Sequence, residues 1–540
     1  MPFSLINDPW IPVRRAHSGA SHSRPADLTA NITTDPVLAI NWPRADFRLA
    51  TLEFLIGLLA VACPPAGRRD WPASYHNPPS PTDLEAAFAP LAFAFELDGD
   101  GPRFMQDFDD LTVGDNDVAT LLIESPGEQT LKKNADLLVK RGQVLRLSRA
   151  SAAMALFTLQ TYAPAGGAGN RTGLRGGGPL TTLVVPAGGA SLPLWHRLWA
   201  NVPTGQPAHL TELPHIFPWL TKTKTSENDK KVVPIDPNNP HDRLAFWGAP
   251  RRIRLNFSSA QSGETCDLTG QADTVMVRSW RQRPNGANYD AFKHPLTPYY
   301  RPKPKESLWL PVHPQPDGIG YKDYLGLLVA PTNDAETLKP AATIATWRGD
   351  RARAVQSDDG TRWGILAAGF DMDNMKARGF VETELPVIDV ANPDDIIRFD
   401  EIVTGLVRAA DEVAALLRQA VRGALFSEGS KPEIKTGLFN DLRAQFWQET
   451  EPAFYHALGR AADGVPRDAV SSGFLARLRP TAFRLFDQAA PITVSTHPDR
   501  VARAAKWLGV CLNGYGKAGR VLFSVLGLEA REEKPKRKSA

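Results

Sequence analysis

The stretch NPDDIIRFDEIVTGLVRAADEVAALLRQAV, residues 392–421, divides the sequence into two regions of different character. Asn392 is a favourable N-cap, Pro393 suits the first helical position, and the two acids that follow favour the positive end of a helix dipole. Apolar residues then recur at helical spacing, at Phe399, Ile402, Val403, Leu406, Val413, Leu417, Ala420 and Val421. We therefore predict a long amphipathic helix here and a domain boundary near residue 390.

The region after this boundary contains three further helical stretches, at about 438–462, 469–489 and 498–528. Four amphipathic helices joined by short connections rich in Gly and Pro are typical of a four-helix bundle. We predict such a bundle over residues 391–528, followed by a flexible basic tail over 529–540.

The first 390 residues have shorter apolar runs, broken by many of the 46 Pro and 42 Gly residues of the chain. Strand-like stretches at 182–187 and 252–257 alternate with long loops, and few helices are expected, around 48–62, 150–162 and 191–201. The pattern predicts a large, loop-rich mixed domain over 1–390, so that the whole chain is of the α+β class.

Composition excludes several classes of protein. The 540 residues carry 62 Lys and Arg against 59 Asp and Glu, and the net charge of +3 argues against a wholly basic nucleic-acid binder. The start of the chain does not read as a secretory signal, and the most apolar run, Phe54 to Ala62, is about half the ~20 residues of a membrane span. Three distant cysteines, Cys63, Cys266 and Cys511, form no CxxC pattern. We expect a cytoplasmic protein with no membrane partner, no metal and no cofactor.

Charge is distributed unevenly within the predicted bundle. Residues 469–528 contain eight basic residues and two acids, a net +6 that is twice the charge of the whole chain. This density is compatible with a solvated helix face or with a phosphate-binding surface. If the surface binds phosphates, the candidate residues are Arg477, Arg479, Arg484, Arg500, Arg503 and Lys506.

Residues 166–178, GGAGNRTGLRGGG, form a glycine segment with seven glycines in thirteen positions and two arginines, Arg171 and Arg175. Glycine allows close approach of the backbone to a ligand, and successive exposed N–H groups can bind anions. The spacing matches neither a Walker A loop nor GxGxxG. The composition favours a backbone that meets a nucleic-acid groove with arginines on phosphates, or else a structural turn cluster that leads into a strand at 181–186.

Two further stretches are basic. The basic loop, residues 137–149, contains Lys140, Arg141, Arg146 and Arg149 without an acid, and Gly142 interrupts it. In WRQRPNGANYD, 280–290, Arg281 and Arg283 precede a Pro-Asn-Gly turn, which predicts cationic side chains at a hairpin tip. Each stretch taken alone is as compatible with an ordinary surface loop as with a functional one.

Signals for catalysis are weak. Asp371 and Asp373 in FDMDNMKARGF, 370–380, invite a metal site, but no third ligand lies nearby in the sequence, and His241-Asp242 is a common dipeptide. No nucleophile elbow or catalytic triad can be assembled from spacing. We predict that the protein is not an enzyme, with a metal-dependent nuclease built on Asp371, Asp373 and an unidentified histidine as the alternative.

Several blocks of sequence together resemble the CasA family, the large subunit of the type I-E CRISPR Cascade surveillance complex. The blocks are FSLINDPWIPV (3–13), PRFMQD (102–107), LQTYAPAGGAGNRTGLRGGGPLTTLV (159–184), HPLTPYY (294–300) and AAGFDMDNMKARGF (367–380). The resemblance implies a nuclease-free subunit that recognises the protospacer-adjacent motif (PAM) from the minor groove, promotes duplex opening and R-loop formation, and recruits a helicase-nuclease. The implied partners are other Cascade subunits, crRNA and target double-stranded DNA. A purely architectural subunit is a further alternative.

The resemblance also implies roles for particular residues. The glycine loop that touches the motif corresponds to Gly166, Gly167, Ala168 and Gly169, with Arg171 beside it; the finger corresponds to Arg281 to Arg283, and the wedge to Asp373, Asn374, Met375 and Lys376. The loop that scans DNA and contacts the crRNA end corresponds to Lys140, Arg141, Gly142, Gln143 and Arg146. This sequence departs from some family members at Asn374 (glutamine), at the finger (lysine) and at Ala168 (glycine), and its lone Cys266 does not provide the cysteine set of a zinc knuckle.

Overall fold

A computed structural model describes residues 2–136, 141–167, 169–189, 192–227, 242–289, 292–303, 308–331, 337–355, 361–373, 375–388, 390, 393–427, 436–529 and 531. The chain forms two compact units. Unit 1 comprises Met1–Arg301, Lys305–Pro316 and Ala341–Pro386, and unit 2 comprises Pro302–Pro304, Asp317–Pro340 and Val387–Ala540. Strands and helices are both abundant, which confirms the predicted α+β class.

The strands are mostly short. In chain order they are β1 Ile11–Arg15, β2 Ala20–Ser23, β3 Val37–Ile40, β4 Asn116–Asp117, β5 Leu147–Ser148, β6 Thr181–Pro186, β7 Arg252–Ser259, β8 Val275–Arg283, β9 Tyr299–Tyr300, β10 Leu310–Pro311, β11 Leu338–Lys339, β12 Trp363–Asp373 and β13 Lys376–Pro386.

The helices range from single turns to a helix of 30 residues. They are α1 Ala45–Ala62, α2 Trp71–His76, α3 Pro81–Phe88, α4 Glu128–Lys132, α5 Arg149–Tyr162, α6 Leu194–Trp199, α7 Leu213–Ile216, α8 Tyr324–Leu327, α9 Ala342–Thr346, α10 Ala352–Val355, α11 Ile396–Leu425, α12 Thr436–Ala462, α13 Arg467–Ala489, α14 Pro498–Leu512 and α15 Gly516–Leu526. Over the described residues, none of these helices combines the length and the apolar character that a bilayer crossing requires.

Over the described residues, β9 and β10 form a short antiparallel pair in unit 1, and three larger antiparallel sheets lie wholly within that unit. Their strand orders are β2-β1-β3, β13-β12-β6, and β4-β8-β5 with β7 paired along β8. The longest pairing joins β12 and β13 from Gly364↔Pro386 to Asp373↔Lys376, so that only residues 374 and 375 connect the two strands. β12 is buried on both faces along most of its length, because its consecutive side chains point to opposite faces of the sheet, whereas β13 is the largely exposed edge strand.

The core of unit 1 forms around α1, the helix that contains the most apolar run of the sequence. Phe54 makes edge-to-face contacts with five aromatic rings, at centroid distances of 5.4 to 6.0 Å. A Cβ at Gly57 would lie 2.8 Å from Phe246 Cβ, so only glycine allows this approach. The helix predicted around 48–62 is therefore confirmed, as α1.

Unit 2 is built on α11, the helix that the pattern at 392–421 predicted. Asn392, the predicted N-cap, lies outside the described residues; a short 3₁₀ turn at Pro393–Asp395 precedes the helix. Its buried stripe includes every apolar residue of the predicted pattern, and it packs against α12, α13, α14 and α15.

The predicted single helix over 498–528 is wrong, and the described part of unit 2 therefore has five long helices rather than four. The chain breaks between α14 and α15, where Gly514 and Gly516 have φ of +85° and +68°. These left-handed conformations interrupt the helix, and a Cβ at Gly514 would lie 2.7 Å from the Phe523 ring. The predicted tail lies outside the described residues except for 529 and 531.

Asp317–Pro340 belongs to unit 2, although the sequence placed it in a continuous domain over 1–390. The reason is aromatic packing. Tyr321 stacks on Phe454 with centroids 4.5 Å apart, contacts Trp447 at 4.7 Å, and hydrogen-bonds to Thr450 through its hydroxyl. Residues distant in sequence thus hold this segment against α12.

Candidate nucleic-acid interface

The glycine segment leaves the end of α5 and leads into β6, and its two halves differ. The second half is packed: Gly178 N–H donates to Tyr162 O at 2.7 Å, and Cβ atoms at Gly173 and Gly177 would lie 2.8 Å from Thr161 O and 2.6 Å from Pro164 Cα. The first half is partly exposed, apart from Ala168, which lies outside the described residues. The segment thus combines both interpretations: a structural turn cluster at its end and an accessible backbone at its start.

Arg175 does not face phosphates as the composition suggested. It is 2% exposed and forms a bidentate ion pair with Glu53 at 2.8 and 3.2 Å, while also donating to Thr181 and Thr297. Tyr162 Oη donates to the same carboxylate at 2.7 Å. Burial opposes the charge of Arg175, but Glu53 outweighs this and raises its pKa. Arg175 anchors the segment to α1 instead.

Arg171 also makes internal contacts. Its Nε donates to Ser226 Oγ at 3.0 Å and its Nη2 to Ser226 O at 3.3 Å, and the Ser226 hydroxyl donates to Gly286 O at 2.6 Å. Ser226 therefore joins the glycine segment to the residues that follow β8.

The end of β8 contacts the glycine segment directly. Gln282 Nε2 donates to Asn170 Oδ1 at 2.7 Å, and Asn285 N–H donates to Gly169 O at 2.9 Å. A Cβ at Gly169, where φ is +81°, would collide with Asn285. Only glycine permits this junction.

Arg281 and Arg283 are not at a hairpin tip. The β7–β8 hairpin turns at residues 260–274, at the opposite end of β8. Arg281 pairs with Asp115 at 3.2 Å and donates to Leu111 O, and Arg283 Nη2 lies 3.5 Å from Thr112 O. On the neighbouring strand, Arg252 and Arg254 pair with Asp107 and Asp110. An acidic segment, residues 107–115, therefore covers this arginine-rich face.

The wedge residues occupy the turn between β12 and β13. Asp373 pairs in register with Lys376, Met375 is 58% exposed, and Asn374 lies outside the described residues. A Cβ at Gly178 would lie 2.5 Å from Met372 Cγ and 2.7 Å from Phe370 O, so the glycine segment packs directly against the strand that carries the turn. The structure thus brings the glycine segment, the end of β8 and the end of β12 together.

The basic loop contains no acidic residue, but the fold places carboxylates from outside the loop beside its arginines. Arg141 binds Asp136 at 2.6 Å and lowers the pKa of that carboxyl, and Arg149 pairs with Asp273 at 2.7 Å. Arg146 lies 3.5 and 3.6 Å from carboxylates of the β7–β8 turn, Glu264 and Asp267. Gly142, at φ +70°, and Gln143 are exposed, and Lys140 lies outside the described residues.

The metal-nuclease alternative gains no support. Asp371 is held by Arg378 through two hydrogen bonds of 2.7 and 2.9 Å, so its oxygens already have a cationic partner. Within the described ranges, no group of three or more His, Cys, Asp or Glu side chains could hold a metal ion. Cys266 is buried and donates to Ser151 Oγ at 3.2 Å. His241 lies outside the described residues.

Some basic side chains of unit 2 bond to other residues of the unit, and others are exposed or line a groove. Arg479 donates to Leu512 O at 3.1 Å, and Arg484 pairs with Glu449. Arg477 and Lys506 are exposed. Arg500 and Arg503 of α14 line a groove of about 830 Å³ that α11 completes.

This groove between α11 and α14 contains a third arginine that was not among the basic residues predicted from the sequence to bind phosphates. Arg422 lies on α11, outside the counted 469–528 window, and shares the groove with the rings of Phe426 and Trp507. Guanidinium groups beside aromatic rings match the phosphates and bases of a single strand. The helical spacing of Arg422 and Phe426 was the one sequence signal that could have placed them on the same face.

The fold and the site define a large α+β protein whose candidate site includes accessible backbone, amide and guanidinium groups. The family model described as CRISPR-associated protein Cse1 matches residues 4–485. The chain therefore belongs to the Cse1 family, which confirms the resemblance to CasA, another name of Cse1.

Solved structures share the fold. CasA of Thermus thermophilus is 17% identical, with a TM-score of 0.66 and coverage of 94% of this chain and 99% of that one. Cse1 of Thermobifida fusca is 14% identical, with a TM-score of 0.68 and coverage of 97% and 98%. A chain of a CRISPR RNA-guided surveillance complex is 15% identical, with a TM-score of 0.67 and coverage of 95% and 99%.

Proposed function

We propose that this chain is the non-catalytic large subunit of a type I-E CRISPR Cascade complex. It recognises the PAM in double-stranded DNA, promotes duplex opening and R-loop formation, and recruits a helicase-nuclease that cuts the target. Its partners are the other Cascade subunits, crRNA and the target duplex. Membership of the Cse1 family and the similarity to a chain of an RNA-guided surveillance complex support the assignment.

The observation that carries the proposal is the convergence of three elements in unit 1. Gly169 accepts a hydrogen bond from Asn285 beyond β8, and Gly178 packs on Met372 of β12. The start of the glycine segment is partly exposed, and Met375 of the wedge turn is exposed. A backbone surface beside a protruding turn suits a duplex that is read and then opened.

Minor-groove chemistry explains why small residues are needed here. The groove is only about 6 Å wide, so backbone and short side chains reach its floor where larger ones do not. Inserting an apolar side chain between base steps costs a few kcal/mol per step, which additional contacts offset. Exposed Met375 is the apolar residue of the wedge turn, and Lys376 beside it can contact a phosphate.

The proposal gives the basic surfaces a sequence-independent role. Arg500 and Arg503 in the unit 2 groove, together with exposed Arg477 and Lys506, would contact DNA backbone, and the exposed Gly142–Gln143 turn of the basic loop would contact the crRNA end or scanned DNA. Such contacts add affinity and salt dependence without selecting a sequence.

A binding selection tests the proposal. The RNA-guided complex is assembled with and without this chain and offered targets with every possible flanking motif. We expect a strong motif preference only when the chain is present. An equal preference in both assemblies would contradict the recognition role, and disassembly without any change in preference would favour the architectural alternative. Magnesium-dependent cleavage by the isolated chain that is lost in Asp373→Ala would favour the nuclease alternative.

A further inference from the structure

Strand geometry separates Gln282 from the two arginines that flank it. Side chains alternate across a strand, so Arg281 and Arg283 share one face of β8 and Gln282 occupies the other. The arginine face meets the acidic segment 107–115, where Arg281 pairs with Asp115 at 3.2 Å. The Gln282 face meets the glycine segment, where its amide binds Asn170 at 2.7 Å.

The hydrogen bond between Gln282 and Asn170 uses one of the two polar groups of each side-chain amide. Gln282 uses its N–H and Asn170 its carbonyl oxygen, and over the described part of the chain the carbonyl oxygen of Gln282 and the amino group of Asn170 have no other hydrogen-bond partner. Both residues are partly exposed. The pair therefore offers an acceptor and a donor side by side.

Surrounding contacts hold this amide pair in place. Gly166 N–H donates to Asn170 O at 3.1 Å, and a Cβ at Gly166 would lie 2.9 Å from Asn170 Nδ2. Asn285 N–H donates to Gly169 O from the other side. Because its neighbours determine its position, the pair loses little conformational entropy when a ligand binds.

We infer that the Gln282–Asn170 pair, rather than Arg281 or Arg283, determines the base preference of the site by reading a G·C pair in the minor groove. The inference rests on the proposed function, because it assumes that a duplex motif lies on the glycine segment. Arg281 and Arg283 already bond to the acidic segment and do not select a base.

The complementarity follows from the edges of the base pairs. In the minor groove A·T and T·A present only acceptors, the N3 of adenine and the O2 of thymine, whereas G·C adds the amino group on C2 of guanine as a donor. The oxygen of Gln282 can accept from that group while the amino group of Asn170 donates to a neighbouring acceptor. Opposite A·T, the Gln282 oxygen would face another acceptor and lose its partner in water.

An experiment with modified bases isolates this contact. The complex containing the full chain is bound to duplexes in which the preferred guanine is replaced by inosine, which lacks only the C2 amino group. A matched set carries 7-deazaguanine, which changes only the major-groove edge. We expect inosine to weaken binding by wild type about tenfold and 7-deazaguanine to leave it unchanged.

Protein variants complete the test. Gln282→Met keeps the length of the side chain but removes its hydrogen bonding, and we expect this variant to bind guanine and inosine duplexes equally. Arg281→Met and Arg283→Met, the matched controls, should keep the tenfold difference and alter affinity for both duplexes alike.

Three outcomes decide between the claims. A tenfold inosine effect that is lost only in Gln282→Met supports the inference. A motif preference that persists while neither inosine nor Gln282→Met changes it overturns the inference but leaves the proposed function standing. A complex with no motif preference at all overturns the proposed function, and the inference with it.

Discussion

At the scale of single residues, the buried ion pair of Arg175 and Glu53 decides whether the glycine segment keeps its position. Both side chains are 2% exposed, and Thr181, Thr297 and Tyr162 complete the hydrogen bonding. A buried pair of this kind is costly to break, because the remaining charge has no solvent to stabilise it.

Removing one partner should therefore destabilise unit 1 strongly. We expect Arg175→Met to lower the free energy of unfolding by about 3–5 kcal/mol, measured by denaturant titration of the isolated chain. The double variant Arg175→Met with Glu53→Leu should lose less than Arg175→Met alone. Arg281→Met, which removes a partly exposed pair, is the control and should cost less than about 1 kcal/mol. An equal cost for the two single arginine variants would refute the structural role of Arg175.

His294 adds a pH dependence to the same region. It is 2% exposed, accepts a hydrogen bond from Leu296 N–H through Nδ1 at 3.1 Å, and contacts Phe246. Burial, reinforced by the positive charge of Arg175, lowers the pKa of His294 well below 6.5. As the pH falls, the His294 imidazole therefore becomes protonated in the unfolded chain before it does so in the folded chain.

Below about pH 6.5 the unfolded state binds more protons than the folded state, so stability falls on acidification by up to about 1.4 kcal/mol per pH unit. His294→Asn keeps a side-chain acceptor but cannot titrate, and we expect its stability to change less between pH 7 and pH 5. Denaturant titrations of both proteins at several pH values measure the difference; parallel pH profiles would count against it.

At the scale of elements, the packing of the glycine segment on β12 is open to a matched comparison. Gly178 and Gly188 have nearly equal φ, +64° and +67°, but only at Gly178 would an added Cβ have other atoms within 4 Å. Alanine should strain both backbones alike. We expect Gly178→Ala to lose about 1–3 kcal/mol more than Gly188→Ala in denaturant unfolding, because it also displaces Met372 or Phe370. Similar losses of stability at the two positions would mean that β12 accommodates the added methyl group without cost.

The groove between α11 and α14 supports a second prediction at this scale. We expect Arg500→Glu with Arg503→Glu to weaken binding of the assembled complex to DNA of any sequence, and to reduce the salt dependence by about 0.9 slope units for each phosphate that is no longer neutralised. Arg398→Glu with Arg443→Glu changes the net charge equally, but these arginines pair with Asp395 and Asp411. If both double variants showed the same salt slope as wild type, DNA would not occupy the groove.

At the scale of the whole molecule, local patterns predicted the elements that depend on local sequence. The apolar period at 392–421 located α11, and the strand-like stretches at 182–187 and 252–257 fall on β6 and β7. The helix at 498–528 was predicted unbroken because its apolar period outweighed the signal of Gly514 and Gly516.

Contacts between distant residues were not predictable in this way. Arg281 meets Asp115 across 166 positions, and Arg149 meets Asp273 across 124, so a count of nearby acids could not show that these arginines are neutralised. Likewise Tyr321 reaches Thr450 across 129 positions. The composition located the glycine segment, but only the tertiary structure shows which half of it is accessible.

The central claim is that the assembly around the glycine segment recognises a motif and opens the adjacent base pair. Fluorescence of 2-aminopurine placed at the first target base pair measures both steps together, because the probe brightens when its base unstacks. We expect the assembled complex to raise the fluorescence only on motif-bearing duplexes, and a variant with Met375→Gly and Lys376→Gly to bind the motif while raising it far less. An equal rise on duplexes with and without the motif, or an undiminished rise with the variant, would contradict the claim.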